Sequence, residues 1–211
     1  MTRLTAQTIF NDAEKQLIEA AVRDAENRTS GEIVPLVVDE SYDYPQAELV
    51  GAGFFALATA VTLSWAFGGS SVWVFLPLFL LAFFPFRCLL RHLPELKRRL
   101  IHPTEIAAEV EEKALVSFIE QGLHHTRDET GILILVSLFE HRVFVLADRG
   151  INNRVPKETW DEIVHIVTEG IRSSRTCEAL CVAIGRCGDL LQTHFPKKVD
   201  DTDELPNLIL G

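Results

Sequence analysis

The sequence predicts an α/β fold, a mixed β-sheet sandwiched by helices, with a two-helix transmembrane hairpin inserted into it. Two observations predict this fold. Short β-branched runs alternate with stretches in which apolar residues recur every three or four positions, as expected of strands and helices. A far longer apolar stretch, Leu49–Phe86, interrupts this alternation directly after the first predicted strand. Its length suits a bilayer rather than a strand or a short core helix.

The long apolar stretch consists of two runs without an ionisable residue. Leu49–Phe67 would form a helix of about 28 Å, close to the thickness of the bilayer hydrocarbon. Val72–Phe86 is the second run, and Gly68–Ser71 joins the two as a turn. Trp65 and Trp73 flank this turn, as aromatic residues do at a lipid–water boundary. The alternative is a hairpin in the core of a soluble protein, in which a helix usually carries a polar stripe.

The charges around the hairpin predict its orientation. Residues 87–99 carry a net charge of +4, whereas the rest of the chain carries −14. Because a hairpin has both flanks on one side, this excess of Lys and Arg predicts a protein of the cell inner membrane with two spans and both termini in the cytoplasm. The basic residues could also contact anionic lipid headgroups. Pro77 and Pro85 leave a kinked or re-entrant second segment open.

Composition restricts the partners and the compartment. A net charge of −10 makes nucleic acid a poor partner. The segment MTRLTAQTIFNDAEK lacks the apolar core of a signal peptide. Four cysteines without a disulfide-like spacing fit a reducing compartment. The expected partners are the lipid bilayer and, as an open alternative, another membrane protein, and no small-molecule substrate is identified.

The remaining segments predict one small α/β domain. A capping box at Asn11 and Glu14 predicts a first helix that ends at a C′ glycine, Gly31. The other predicted elements are a strand Glu32–Val38, a helix from the Thr104 cap to about Leu123, strands Ile132–Phe139 and Val143–Ala147 around a turn at residues 140–142, and helices from Pro156 and over about Cys177–Phe195. The first two strands should be parallel, because a helix joins them, and the third antiparallel. Pro35 argues against a central position for the first strand.

Three segments resemble the TPM domain family, named for a thylakoid lumen protein, a photosystem II repair protein and a nematode receptor auxiliary protein. They are NDAEKQLIEAAVRDAENRTSGEIVPLVV, DETGILILVSLFEHRVFVLADRGI and GRCGDLLQTHFP. The resemblance implies a central sheet sandwiched by helices, and weak phosphatase activity or divalent-cation binding in some members. It also implies a membrane-tethered bacterial member. Residues 1–48 with 101–196 would then form one discontinuous TPM-like cytosolic domain, 49–100 the transmembrane hairpin with its basic flank, and 197–211 an acidic tail.

One group of acidic and amide side chains is a candidate cation site. Asp128 precedes the second strand and Asp148 follows the third, so both lie at the open end of the predicted hairpin of strands. With Asn152 they could supply oxygen ligands for Ca²⁺ or Mg²⁺. The alternative is that these are hydrated loop and cap residues.

A second candidate is a zinc site on the last helix. Cys177 and Cys181 are one turn apart, with Cys187 and His194 farther along. The cysteines neighbour an apolar stripe, however, and free cysteine is a common core residue. The sequence therefore favours core packing for them.

No familiar enzyme signature occurs. The patterns G-x-S-x-G, H-E-x-x-H and G-x-x-x-x-G-K are all absent, and no catalytic residue is identified. The sequence favours a membrane-anchored TPM-domain protein that acts as a non-enzymatic interaction or scaffold module. The alternative is a weak phosphatase on the same fold, assisted by a divalent cation.

Overall fold

The computed structural model describes residues 5–66, 71–126, 129–156, 158–197 and 205–211. The chain divides into two units, residues 1–41 with 108–211 and residues 42–107. The helices are α1 Asp12–Glu26, α2 Pro45–Ala66, α3 Val72–His92, α4 Pro94–Arg99, α5 Pro103–Glu120, α6 Arg149–Asn152, α7 Glu158–Arg172 and α8 Thr176–His194, and the strands are β1 Glu32–Val38, β2 Gly131–Ser137, β3 Arg142–Ala147 and β4 Ile209–Leu210.

The first unit is built on one mixed sheet with the strand order β3-β2-β1-β4. β1 pairs with β2 in parallel and β2 pairs with β3 antiparallel, which confirms the predicted pairing and the α/β class. β4 adds a fourth strand, parallel to β1, through Leu36 opposite Ile209 and Val37 opposite Leu210. The apolar end of the predicted tail is therefore part of the sheet.

Pro35 lies in an interior strand, although a proline counts against a central position. The strand accommodates this proline because of the direction in which the missing Pro35 N–H would point. Gly211 N–H donates to Val37 O, so the backbone groups of alternate residues 33, 35 and 37 point away from β2. At Ile33 this edge is capped by the Glu26 carboxylate, which accepts the Ile33 N–H at 3.0 Å. β4 begins opposite Leu36, beyond the proline, so the ladder loses no hydrogen bond.

Helices cover both faces of the sheet. Every residue of β1 and β2 is buried, as continuous apolar runs predict for strands covered on both faces. On one face Ile33, Val37, Ile132 and Ile134 pack with apolar side chains of α1, α7 and α8. On the other face, Val34, Leu36, Leu133 and Leu135 pack with Val110, Ala114 and Phe118 of α5.

Several element ends differ from the predictions. The capping box is confirmed: Asn11 Oδ1 accepts the Glu14 N–H, and the Glu14 carboxylate accepts the Asn11 N–H, both at 2.9 Å. α1 nevertheless ends at Glu26 with Asn27 as its C-cap, so Gly31 is not a C′ glycine. Gly31 instead permits close packing, because a Cβ there would lie 2.7 Å from Leu191 Cδ1.

The later elements are also shorter or more divided than predicted. α5 includes Thr104, which is therefore not its cap, and after α5 a left-handed Gly122 leads into a 3-10 turn at Leu123–His125. β2 ends at Ser137, two residues before the predicted Phe139. The short helix α6 was not predicted.

The second unit contains α2, α3 and α4. α2 begins before the predicted Leu49, and α3 runs past Phe86 to His92, through both Pro77 and Pro85. The predicted turn at Gly68–Ser71 lies outside the described residues except for Ser71, which caps α3 by accepting the Trp73 N–H.

Candidate functional site

The buried side chains of α2 are all small. They are Gly51, Ala52, Ala56, Ala60 and Ser64. The last four are spaced by four residues and form one stripe along the helix. α2 packs along α3, and small residues allow the backbones of two helices to approach closely.

Many large apolar side chains of the same helix pair point outward, although Leu90 of α3 is buried. Trp65 and Trp73 are more than four-fifths exposed, and Leu81 and Phe84 about two-thirds or more. None of the most apolar 18 residues of α3 is buried. Soluble helices bury their large apolar residues and expose polar ones, so this pair has the reverse arrangement. By length and composition both helices could cross a membrane.

An ion pair closes the base of this helix pair. Lys97 of α4 donates from Nζ to Glu48 Oε1 of α2 at 3.0 Å and to the Asp43 carbonyl oxygen at 2.5 Å. The two side chains are only 9% and 12% exposed. Lys97 is therefore buried and paired, unlike Arg87, Arg91 and Arg99, which are exposed. The predicted contact of the basic run with lipid can involve these arginines but not Lys97.

The predicted cation site lies partly outside the described residues, because Asp128 is not among them. Asp148 is the N-cap of α6: its Oδ1 accepts the Arg149 N–H at 2.6 Å. Its Oδ2 is buried and has no hydrogen-bond partner within the described part of the chain. Asn152 lies one helical turn on, is exposed, and donates from Nδ2 to the Ala147 carbonyl oxygen at 2.6 Å. Among the described residues no three His, Cys, Asp or Glu side chains are grouped to hold a metal ion.

The zinc alternative places its four residues in different environments. Cys187 is fully buried in the core, as predicted, and burial raises the pKa of its thiol to about 12. Cys177 and Cys181 contact the same core with one side but are partly exposed. His194 is the last residue of α8, about 25 Å along the helix from Cys177. The four residues do not form one site.

Cys177 and Cys181 line a groove of about 750 Å³ between α1 and the start of α8. The Cys177 thiol donates to the Glu14 carbonyl oxygen at 3.7 Å. Burial, followed by the proximity of Cys181, raises the pKa of Cys177 to about 11, and burial also raises the pKa of Cys181. Both cysteines are therefore protonated thiols at neutral pH. This groove was not predicted from the sequence.

A buried polar cluster joins the carboxyl ends of β1 and β2. The Glu140 carboxylate, 4% exposed, accepts the Ser41 N–H at 2.9 Å and the Ser137 hydroxyl. The Ser41 and Ser137 hydroxyl oxygens are 3.0 Å apart. Glu140 lies in the predicted strand turn, but its burial was not predicted, because nothing local signals a partner ninety-nine positions away. Ser137 is only 1% exposed, so its hydroxyl is not an accessible nucleophile, and the cluster ties the strand ends together.

No family profile and no curated protein matches the chain. Among solved structures, the chain is similar to the NMR structure of the BA42 protein from the psychrophilic bacterium Bizionia argentinensis. The identity is 22%, the match covers 95% of this chain and 94% of that chain, and the TM-score is 0.58. At this identity the likeness shows a shared fold.

Proposed function

We propose that the chain is a membrane-anchored protein of the TPM family, in which α2 and α3 span the bilayer and the α/β unit acts as a non-enzymatic interaction or scaffold module. The observation that carries this proposal is the reversed arrangement of the helix pair, in which α2 buries only small residues and both helices expose large apolar ones. A large apolar side chain left in water forgoes about 1.5–3 kcal/mol of burial free energy. A row of them is stable when the surroundings are themselves apolar.

The charges support a location in the cell inner membrane with both flanks of the hairpin in the cytoplasm. Arg87 and Arg91 lie in the last turns of α3, and Arg98 and Arg99 end α4. The described ends of α2 and α3 at the other side of the pair carry no Lys or Arg. Positive residues accumulate on the cytoplasmic side of membrane helices.

Two further observations support the family and the role. The three TPM-like segments form α1 with β1, β2 with β3, and the end of α8, all of which belong to the helix-covered sheet. The Ser137 hydroxyl and the Glu140 carboxylate are both buried, which favours interaction over catalysis. The expected partners are the bilayer and a second membrane protein.

The experiment that tests the anchor is extraction of membranes from cells that express the full chain. We expect the protein to resist alkaline carbonate, to require detergent and to float with lipid vesicles. Leu57→Lys combined with Leu81→Lys places two charges on outward faces of α2 and α3, and a charge at a span centre costs about 2.5–3.5 kcal/mol. This variant should shift towards the aqueous fraction.

A matched control is Leu17→Lys, because Leu17 is 59% exposed on α1 of the other unit. It should leave membrane association unchanged. Recovery of the unaltered chain as a stable monomer from the aqueous fraction, without detergent, would refute the anchor.

The alternative, a phosphatase assisted by Ca²⁺ or Mg²⁺, has one observation in its favour: the buried Asp148 Oδ2, without a hydrogen-bond partner in the described residues. A carboxylate oxygen of this kind suits a hard cation. Calorimetry with Ca²⁺ and Mg²⁺, and turnover of p-nitrophenyl phosphate, should both weaken in Asp148→Ala and persist in Asp161→Ala, an exposed control. Turnover equal in the two variants would identify a contaminant.

A further inference from the structure

Two neighbouring thiols face one groove of the α/β unit. Cys177 lies in the first turn of α8 and Cys181 one turn later, so both side chains lie on the same side of the helix. The groove beside them is also lined by Glu14 and Glu178. The site thus combines two soft donor atoms on one side of α8, open access, and acidic side chains that attract a cation.

The number of donors selects the ion. Zn²⁺ in structural sites takes four ligands, whereas no three His, Cys, Asp or Glu side chains among the described residues are grouped to hold a metal. Soft thiolates select Cu(I) among the metals that remain, and Cu(I) is satisfied by two of them. We propose that Cys177 and Cys181 bind one Cu(I) ion as a bis-thiolate complex.

The binding step balances without a redox partner. Each S–H bond is broken, two Cu–S bonds form, and two protons pass to solvent, so that copper stays Cu(I). The complex carries one negative charge. Arg175 lines the same groove and forms a 3.7 Å ion pair with Glu178, so a positive group is at hand to offset that charge.

The release of two protons gives the site a distinctive pH dependence. Cysteine binds metal as the thiolate, and an ordinary thiol is protonated near neutral pH. The apparent affinity for Cu(I) should therefore rise about 100-fold for each pH unit around neutral pH, since two protons leave for each ion bound. A single thiol with a non-cysteine second ligand would give about 10-fold.

The test uses the full chain in detergent, reduced and kept free of oxygen, with Cu(I) supplied as its bicinchoninate complex. The protein should remove one equivalent of copper, and X-ray absorption should find two sulfur neighbours at the metal. Cys177→Ser and Cys181→Ser should each abolish this uptake, with folding checked by circular dichroism. The control variants are Cys88→Ser, on α3, and Cys187→Ala, in the core, and both should retain it.

Three results would overturn the proposal. They are uptake in either serine variant equal to that of the unaltered chain, preferential uptake of Zn²⁺ over Cu(I), and a 10-fold rather than 100-fold pH dependence. The X-ray absorption measurement on the unaltered chain decides the question even where a serine variant fails to fold, because fewer than two sulfur neighbours contradicts the site.

Discussion

Replacing Lys97 with methionine should destabilise the base of the helix pair strongly. The Lys97 ammonium and the Glu48 carboxylate are 3.0 Å apart, and their side chains are only 9% and 12% exposed. Water therefore screens the pair weakly, and removal of the lysine leaves a carboxylate that is both buried and without its charged partner. Breaking a buried pair from one side costs about 3–5 kcal/mol.

The assay is thermal unfolding of the full chain in detergent. For a chain of this size, 1 kcal/mol corresponds to about 2–4 °C in Tm, so Lys97→Met should lower the Tm by roughly 6 to 20 °C. The matched control is Arg98→Met, which breaks the neighbouring pair of Arg98 with Glu95. That pair has a similar distance, 2.9 Å, but its side chains are 28% and 65% exposed. Its loss should cost less than about 1 kcal/mol.

A double variant separates the charge effect from lost packing. Lys97→Met with Glu48→Met replaces the ion pair by apolar groups of similar length, and such replacements are often neutral or stabilising. The double variant should recover most of the lost stability. If Lys97→Met unfolds no earlier than Arg98→Met, or if the double variant is worse than the single one, the pair does not stabilise the helix base as argued.

The other predictions concern the α/β unit. Gly170→Ala should lower the free energy of unfolding by about 1–3 kcal/mol, because a Cβ there would lie 2.0 Å from Ala179 Cβ. Gly185→Ala has open space around it and should raise the free energy of unfolding by about 0.5–1 kcal/mol. Denaturant titrations measure both changes. Asn11→Ala should lower the free energy of unfolding by about 1 kcal/mol in the same titration, because it removes the capping box of α1. Because the pKa of the Cys177 thiol is raised to about 11, this thiol should react with iodoacetamide at pH 8 about 100-fold more slowly than a thiol of pKa 9.0. The rate should rise tenfold per pH unit up to about pH 11. An unchanged rate at pH 8 would contradict the burial of that thiol.

The strands that carry the sheet were predictable because their signal is local. β1 and β2 are buried on both faces, so nearly every residue in them is apolar, and their boundaries follow from composition. The parallel pairing followed from the helix that joins them. The cap at Asn11 was equally local, since both of its hydrogen bonds join residues three positions apart.

What escaped prediction depends on distant partners. β4 is two residues long and exists only because β1 offers it an edge, so no periodicity could reveal it. The burial of Glu140 depends on its hydrogen bond with Ser41. Pro35 fits an interior strand because Glu26 accepts the Ile33 N–H before it and β4 pairs with β1 only from Leu36 onward, so no hydrogen bond is needed at the proline. For the cation site, Asp148 and Asn152 do lie near each other, but the sequence could not show that their other atoms are used to cap α6 and to hold the Ala147 carbonyl.

A count of apolar residues ignores the size of their side chains, and in the helix pair size is what separates the two faces. Alanine and leucine count alike as apolar, so the runs predict length and hydrophobicity but not which face of each helix is inside. Side-chain size separates the faces: Ala52, Ala56 and Ala60 recur every fourth residue of α2, and the bulky residues lie between them. In water the bulky face would be the buried one. Because lipid tails are as apolar as leucine, burying bulky side chains between helices gains nothing in a bilayer, and close backbone contact decides the packing. The four-residue repeat of small residues is thus a more specific reason than hydrophobicity to place this helix pair in lipid.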